Sequence, residues 1–272
     1  MKIAITGKGG VGKTTLTSLL AYHYAKQGRP VLAIDADPSP CLGPALGFPS
    51  DKLLSLMPIA DMRELIAERT GTTLGEAAGN FFKLNPKVSD LPDKFSQLHN
   101  GIRLLLLGAV QQGGSGCVCP ASTMLKQLVQ HVLLQRDEVV LLDLYAGVEH
   151  LGRGTAQAVD VMLAVAEPTH RSMRTVAQIK VLAGDIGITN LLLVGNKACS
   201  DADRQFFTDH APDIPLIGCL NASPEAVVAD RSGQVLHSID QQLAAAVAAI
   251  AERIESTLLS AQQTLERTPE HV

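Results

Sequence analysis

The string Gly7-Lys8-Gly9-Gly10-Val11-Gly12-Lys13-Thr14 fits the pattern G-x-x-x-x-G-K-[ST]. It follows the apolar run KIAIT and opens a helical pattern, Thr14 to Lys26. Strand, glycine loop and helix in that order are the context in which this pattern binds phosphate. Glycines let the backbone wrap so closely that successive N–H groups converge on one point. The helix N-terminus adds positive potential there. Gly9, Gly10, Val11, Gly12, Lys13, Thr14 and Thr15 are therefore the expected nucleotide contacts. Lys13 is expected to bridge the β- and γ-phosphates, and the Thr14 hydroxyl to ligate Mg²⁺, which makes ATP and Mg²⁺ the expected cofactors.

The rest of the chain alternates in the same way. Strand candidates are Lys2 to Thr6, Val31 to Asp35, Ile102 to Gly108, Val139 to Asp143, Val161 to Glu167, Leu191 to Asn196 and Pro215 to Cys219. Several are apolar throughout, the mark of strands covered on both faces. Helical patterns at Ala121 to Gln135, Arg171 to Asp185, Asp201 to His210 and Pro224 to Asp230 lie between them. This order predicts an α/β fold of the P-loop NTPase kind: a doubly wound, mostly parallel sheet with helices on both faces. The 272 residues are expected to form one such domain, 1–272. Residues 48–101 break the alternation and are expected to be an insertion over one sheet edge, with a short helix near Asp61 to Glu68. Residues 239–267 read as a long closing helix. With no Trp and only 3% aromatics, the core must be built from Leu, Val, Ile and Ala.

Carboxylates stand at the C-terminal ends of two of these strands, beside the loop that ends strand one. In Asp35-Ala36-Asp37-Pro38, Asp37 is the candidate for positioning or activating the attacking water, and Asp35 for supporting Mg²⁺ through water. Val139-Val140-Leu141-Leu142-Asp143 has the Walker B form, and Asp143 is expected to hold a Mg²⁺-bound water. The competing reading, that one of Asp35 and Asp37 merely shapes the turn before Pro38, stays open.

Gly113-Gly114-Ser115-Gly116-Cys117-Val118-Cys119-Pro120 is a shaped loop leading into a helix. In extended backbone, residues i and i+2 face the same side, so Cys117 and Cys119 can present two sulfurs to one ion. Two thiolates do not complete a soft-metal site. A two-fold axis through the loop would supply the other pair, giving S₄ from a homodimer, suited to Zn²⁺ or Ni²⁺. Burial as two small hydrophobes, or a redox pair, are the less favoured readings. Cys41, Cys199 and Cys219 read as packing residues, with Cys41 close to the Asp37 segment.

A net charge of −4 gives no basic footprint, so no nucleic-acid partner is expected. The start of the chain shows no secretory signal and no run spans a membrane, so a cytoplasmic protein without membrane attachment is expected.

The string KGGVGKTT resembles the deviant Walker A loop of the septum-site, plasmid-partition, arsenite-pump and nitrogenase iron-protein ATPases. That resemblance implies that Lys8 reaches across a dimer interface to the partner's nucleotide, acting with Lys13 and Asp37 in catalysis. It implies that Asp37 and Gly147 lie in the two switch segments, Gly147 sensing the γ-phosphate. It also implies that Asn196 and Lys197 frame adenine; a buried structural Asn196 is an equal reading on spacing alone. Three further strings, DPSPCLG, GGSGCVCP and AGVEHLGRGTA with EPTHRSMRTVAQ, are similar to the CooC-type ATPases that mature nickel-containing carbon monoxide dehydrogenase. The similarity runs from Met1 to about Asn196. It implies an ATP-hydrolysing, nucleotide-gated homodimer that delivers nickel to that dehydrogenase. Tyr145 departs from the pattern, which often has an acidic residue there. Glu149 and His150 read as a helix start and a packed histidine. The alternatives are a positioning ATPase of the MinD/ParA type and an iron–sulfur carrier ATPase.

Overall fold

The computed structural model describes residues 1–72, 82–108, 120–145, 158–198 and 200–267, the last seven of these as backbone only. Cys117, Cys119, Gly147, Glu149, His150 and Cys199 lie outside the described residues.

The chain runs β1 (Lys2–Gly7), α1 (Lys13–Lys26), β2 (Val31–Ala36), α2 (Leu42–Ala45), α3 (Ser50–Ser55), a 3₁₀ turn (Ile59–Asp61), α4 (Arg63–Thr70), α5 (Leu91–Phe95), β3 (Gln97–His99) and β4 (Ile102–Leu106). It continues through α6 (Pro120–Gln135), β5 (Val139–Leu144), β6 (Val161–Ala166), α7 (His170–Ile186), β7 (Leu191–Ala198), α8 (Asp201–His210), β8 (Leu216–Asn221), α9 (Pro224–Ser232), α10 (Leu236–Ile239) and α11 (Gln241–Arg267). The eight strands form one sheet in the order β3-β4-β2-β5-β1-β6-β7-β8. Every pairing is parallel except β3 with β4.

Strand alternation sorts the apolar residues into two cores. Ile3, Ile5, Ala33, Leu141, Leu163 and Val165 face α1 and α11, meeting Leu16, Leu19, Leu20, Val247, Ile250 and Ile254. Ala4, Leu32, Ile34, Leu142, Met162 and Ala164 face the other way, onto Met124 and Leu128 of α6 and Met173, Val176 and Ile179 of α7. Each fully buried Leu or Ile stabilises the fold by about 1.5–3 kcal/mol. The doubly wound sheet expected from the strand runs is thus the observed one.

Two differences have local physical causes. First, the region 48–101 contributes a strand that the periodicity did not predict. Asn100 and Gly101 both have positive φ, 49° and 78°, and they turn β3 back antiparallel on β4, pairing His99 with Ile102. Asn-Gly suits such a hairpin because both turn residues need left-handed backbone. In the same region Ile59, Ile66, Val88 and Leu91 join the core on the α6 face. Second, the closing helix starts at Gln241, not Ile239. Asp240 accepts the Leu243 N–H at 2.9 Å, capping α11 and separating it from α10.

The order places β1 between β5 and β6, so the chain leaves the sheet in opposite directions on either side of it. The C-terminal ends of β1, β2, β5, β6 and β7 open onto this switch point, where ligands bind in doubly wound sheets.

Candidate functional site

The loop after β1 is held by its neighbours on three sides. A side chain on Gly7 would bring its Cβ within 2.4 Å of the Val165 carbonyl oxygen on β6. One on Gly12, where φ is 94°, would come within 2.1 Å of Asn196 Nδ2. Those contacts, rather than freedom alone, require glycine at both positions. Gly9, Gly10 and Lys8 are exposed. Lys13 is 7% exposed, and its ammonium donates to the Lys8 carbonyl oxygen at 3.3 Å.

Asp143 is the next-to-last residue of β5, below the loop. The Thr14 hydroxyl donates to its Oδ2 at 2.7 Å. Oδ1 is buried and has no hydrogen-bond partner among the described residues. Burial pushes the Asp143 carboxyl up to about 7; the Thr14 hydrogen bond opposes that shift and the charge of Asp35 adds to it. Asp35 lies beside it in register on β2. An orphaned carboxylate oxygen paired with a threonine hydroxyl is a hard-oxygen donor set of the kind Mg²⁺ takes, with waters in the remaining positions.

Asp35 is fully buried, and its oxygens accept three backbone N–H groups: Asp37 at 3.0 Å, Cys41 at 3.0 Å and Leu42 at 2.9 Å. It folds the segment after β2. Burial raises its pKa, the three hydrogen bonds working against that shift. Asp37 is half-buried, and its Oδ1 accepts the Ser39 N–H at 2.9 Å. Cys41 is exposed, but burial of its sulfur and the charges of Asp35 and Asp37 push its thiol up, away from thiolate. Cys219 is buried behind Gly195, as a packing residue.

Asn196 and Lys197 lie near the end of β7, just before Ala198, against the loop. Asn196 Nδ2 donates to the Val11 carbonyl at 2.7 Å, and Asn196 Oδ1 accepts the Lys197 N–H at 2.9 Å. The Lys197 ammonium donates to the Gly10 carbonyl at 2.9 Å and pairs with Glu167 at 2.6 Å. The polar groups of both side chains thus serve the loop in this structure. Tyr145, half exposed, stands just past β5.

A cavity of about 340 Å³ opens beside Thr14 and Thr15, walled by Cys41, Asp230, Gln234 and Leu236 among others. That is the lower end of the range for small-ligand sites. Neither Glu167 nor Asp230 was legible as a site residue. Glu167 sits one residue past its strand, and Asp230 lies on a helix far along the chain. Nothing in the local spacing of either one points at the loop. Among the described residues no group of three or more His, Cys, Asp or Glu stands where it could hold a metal ion. Among them, too, no helix is long and apolar enough to cross a membrane.

Comparison with known proteins gives the family of the chain. Residues 2–264 match the model of the CobQ/CobB/MinD/ParA nucleotide binding domain. The chain is 43% identical over 261 residues to the carbon monoxide dehydrogenase accessory protein CooC of Rhodospirillum rubrum, covering 94% of this chain and 98% of that one. It is 42% identical over 240 residues to an uncharacterized ATP-binding protein of Methanocaldococcus jannaschii, covering 87% of this chain and 91% of that one. In three dimensions it superposes on a chain of the MinC:MinD cell division protein complex of Aquifex aeolicus with a TM-score of 0.67. That match covers 93% of this chain and 95% of the other at 20% identity, a likeness of fold alone. The chain belongs to the CobQ/CobB/MinD/ParA nucleotide-binding family and, within it, to the CooC-type ATPases.

Proposed function

We propose that this ATPase works in the maturation of carbon monoxide dehydrogenase, as a nucleotide-gated homodimer that hands nickel to the enzyme. The observation that carries the nucleotide half is the Thr14–Asp143 contact under the loop, with Asp143 Oδ1 left unpartnered. The client follows from the name of the Rhodospirillum relative.

In this reading the loop amides from Gly9 to Thr15 hold the phosphates. Lys13 leaves the Lys8 carbonyl for the β- and γ-phosphate oxygens when they arrive. Thr14 and, through water, Asp143 would hold Mg²⁺, with Asp35 supporting from behind. The ion, when bound, would neutralise charge developing between the β- and γ-phosphates. Asp37 orients the attacking water. Adenine lies at the end of β7 beside Asn196 and Lys197, and the cavity past Thr15 takes the sugar. Lys8 and the switch residues Asp37 and Gly147 act across the subunit interface, so triphosphate favours the closed pair. Cys117 and Cys119 of each subunit are proposed to supply the four thiolates for the nickel cargo; Zn²⁺ suits the same set. Closing changes the spacing of the two cysteine pairs, which makes metal and nucleotide affinities interdependent, each altering the other by the same factor.

The test is sizing chromatography with metal analysis on an Asp37→Ala variant, with and without ATP. The expected outcome is a dimer carrying one Ni²⁺ per pair with ATP present, with Cys117→Ser/Cys119→Ser losing the metal but not ATP. A chain that stays monomeric at saturating ATP and nickel, or equal nickel affinity in the apo and ATP-bound forms, would rule the gating out. A brown, iron-containing protein after anaerobic purification would point to an iron–sulfur carrier instead.

A further inference from the structure

A phosphate loop can aim its amides at one anion only while its carbonyls are turned outward and kept there. Two of those carbonyls are held by consecutive residues at the end of β7: Val11 by Asn196 and Gly10 by Lys197. Lys197 does this from a left-handed backbone, φ 54°, which a lysine adopts only when its surroundings impose it. The Asn196 carboxamide oxygen, accepting the Lys197 N–H at 2.9 Å, supplies part of that constraint.

The ammonium of Lys197 is half exposed and needs a reason to stay on a neutral carbonyl. Glu167, at the end of β6, supplies it with an ion pair of 2.6 Å. Glu167 is itself fixed from behind: its backbone N–H donates to Ser172 Oγ at 3.1 Å, and Ser172, on the first turn of α7, is 1% exposed. The connection therefore runs from the buried start of α7 through Glu167 and Lys197 to the crown of the loop. At that crown Gly10 has φ 80°, and a Cβ there would meet nothing within 4 Å.

We propose that Glu167 is a positioning residue for nucleotide binding. It holds the Lys197 ammonium on the Gly10 carbonyl and so presets the loop before the anion arrives. Without the carboxylate, the Lys197 charge is drawn to incoming phosphates or to water, and Gly10 is released. With it, that charge is offset, and Lys197 is kept off the phosphates. This proposal rests on the reading of the loop as a phosphate site.

The experiment uses the full chain. Glu167→Gln keeps the shape and removes the charge, Glu167→Asp keeps the charge on a shorter arm, and Lys197→Met removes the ammonium. Amide hydrogen exchange at residues 8–12 is read without nucleotide, and ATP affinity and turnover are read with Mg²⁺. Glu167→Gln is expected to speed loop exchange and weaken ATP binding, each by roughly fivefold, with turnover at saturating ATP unchanged. Glu167→Asp should recover part of both losses. Adding Glu167→Gln to Lys197→Met should cost nothing further, because both remove one connection. Loop exchange and ATP affinity both unchanged in Glu167→Gln, or fully additive losses in the double variant, would overturn the proposal. A wild-type chain that binds no ATP, while Glu167→Gln still speeds loop exchange, would overturn the nucleotide reading and leave the brace standing.

Discussion

The two ends of the sheet both bury charge, and they treat it differently. At the N-terminal end of the strands, Lys2 is 7% exposed and its ammonium is consumed by carbonyls, those of Arg136 and Glu138. Its backbone N–H donates to Asp160 at 2.7 Å, and Asp160 also faces the N-terminal ammonium of Met1. At the C-terminal end, Asp143 is 2% exposed and keeps one oxygen with no partner among the described residues. At Lys2 the buried charge is met by carbonyls, and the residue is structural. Asp143 is left short of partners, a cost of order 1–3 kcal/mol for a buried polar group. A stable fold carries such a cost where a ligand supplies the missing contact.

Three substitutions test that contrast, in falling order of effect. Lys13→Ala should lower ATP turnover by roughly a thousandfold or more while leaving the thermal transition in place, because the loss is of charge aimed at the phosphates. Steady-state hydrolysis beside a melting curve checks it, and turnover within tenfold of wild type would mean that the open end is not built for triphosphate.

Asp143→Asn should stabilise the nucleotide-free protein at pH 8 while weakening Mg²⁺-dependent hydrolysis. The sign follows from the raised pKa. The folded state holds the Asp143 proton up to about pH 7, and the unfolded chain releases it near 3.8. Between those values the native state binds more protons, so stability falls as pH rises across the window and levels off above it. The gain in the variant should be on the order of 2–4 kcal/mol at pH 8 and vanish near pH 4. Urea unfolding at the two pH values measures it, and a pH-independent difference would contradict the assignment.

Lys2→Met should do the reverse at the other end. It leaves the Arg136 and Glu138 carbonyls without their donor and should cost about 1–3 kcal/mol of stability. ATP turnover should stay within about twofold. A large loss of turnover would show that the two ends are coupled, and that the contrast drawn between them is too sharp.

How much of this was legible beforehand differs from element to element. The apolar runs from KIAIT to LLLVGN are strands because they are covered on both faces, and period and composition alone report that. The Asn100–Gly101 hairpin carried a plain turn signal, but a strand of three residues is too short for periodicity to register. The start of α11 is set by the Asp240 side-chain cap, which a pattern of apolar residues does not register. At the site, Lys13, Thr14 and Asp143 announce themselves by sitting in a loop pattern and at a strand end. A strand-end position marks Asp35 as a support for Mg²⁺, while its three hydrogen bonds to backbone N–H groups of the segment after β2 are visible only in the fold.

Residues near in sequence, from Gly7 to Thr14, determined that this chain turns through a glycine loop between β1 and α1, because backbone conformation is a local property of glycine spacing. Which carbonyls of that loop are held, and by whom, only the tertiary structure decided. Asn196 and Lys197 are more than 180 residues away from their partners Val11 and Gly10. It is the strand order β5-β1-β6-β7 that brings them, with Glu167, alongside the loop. The protonation of Asp143 is decided there too, since a carboxylate's pKa depends on what is packed around it and not on its neighbours along the chain.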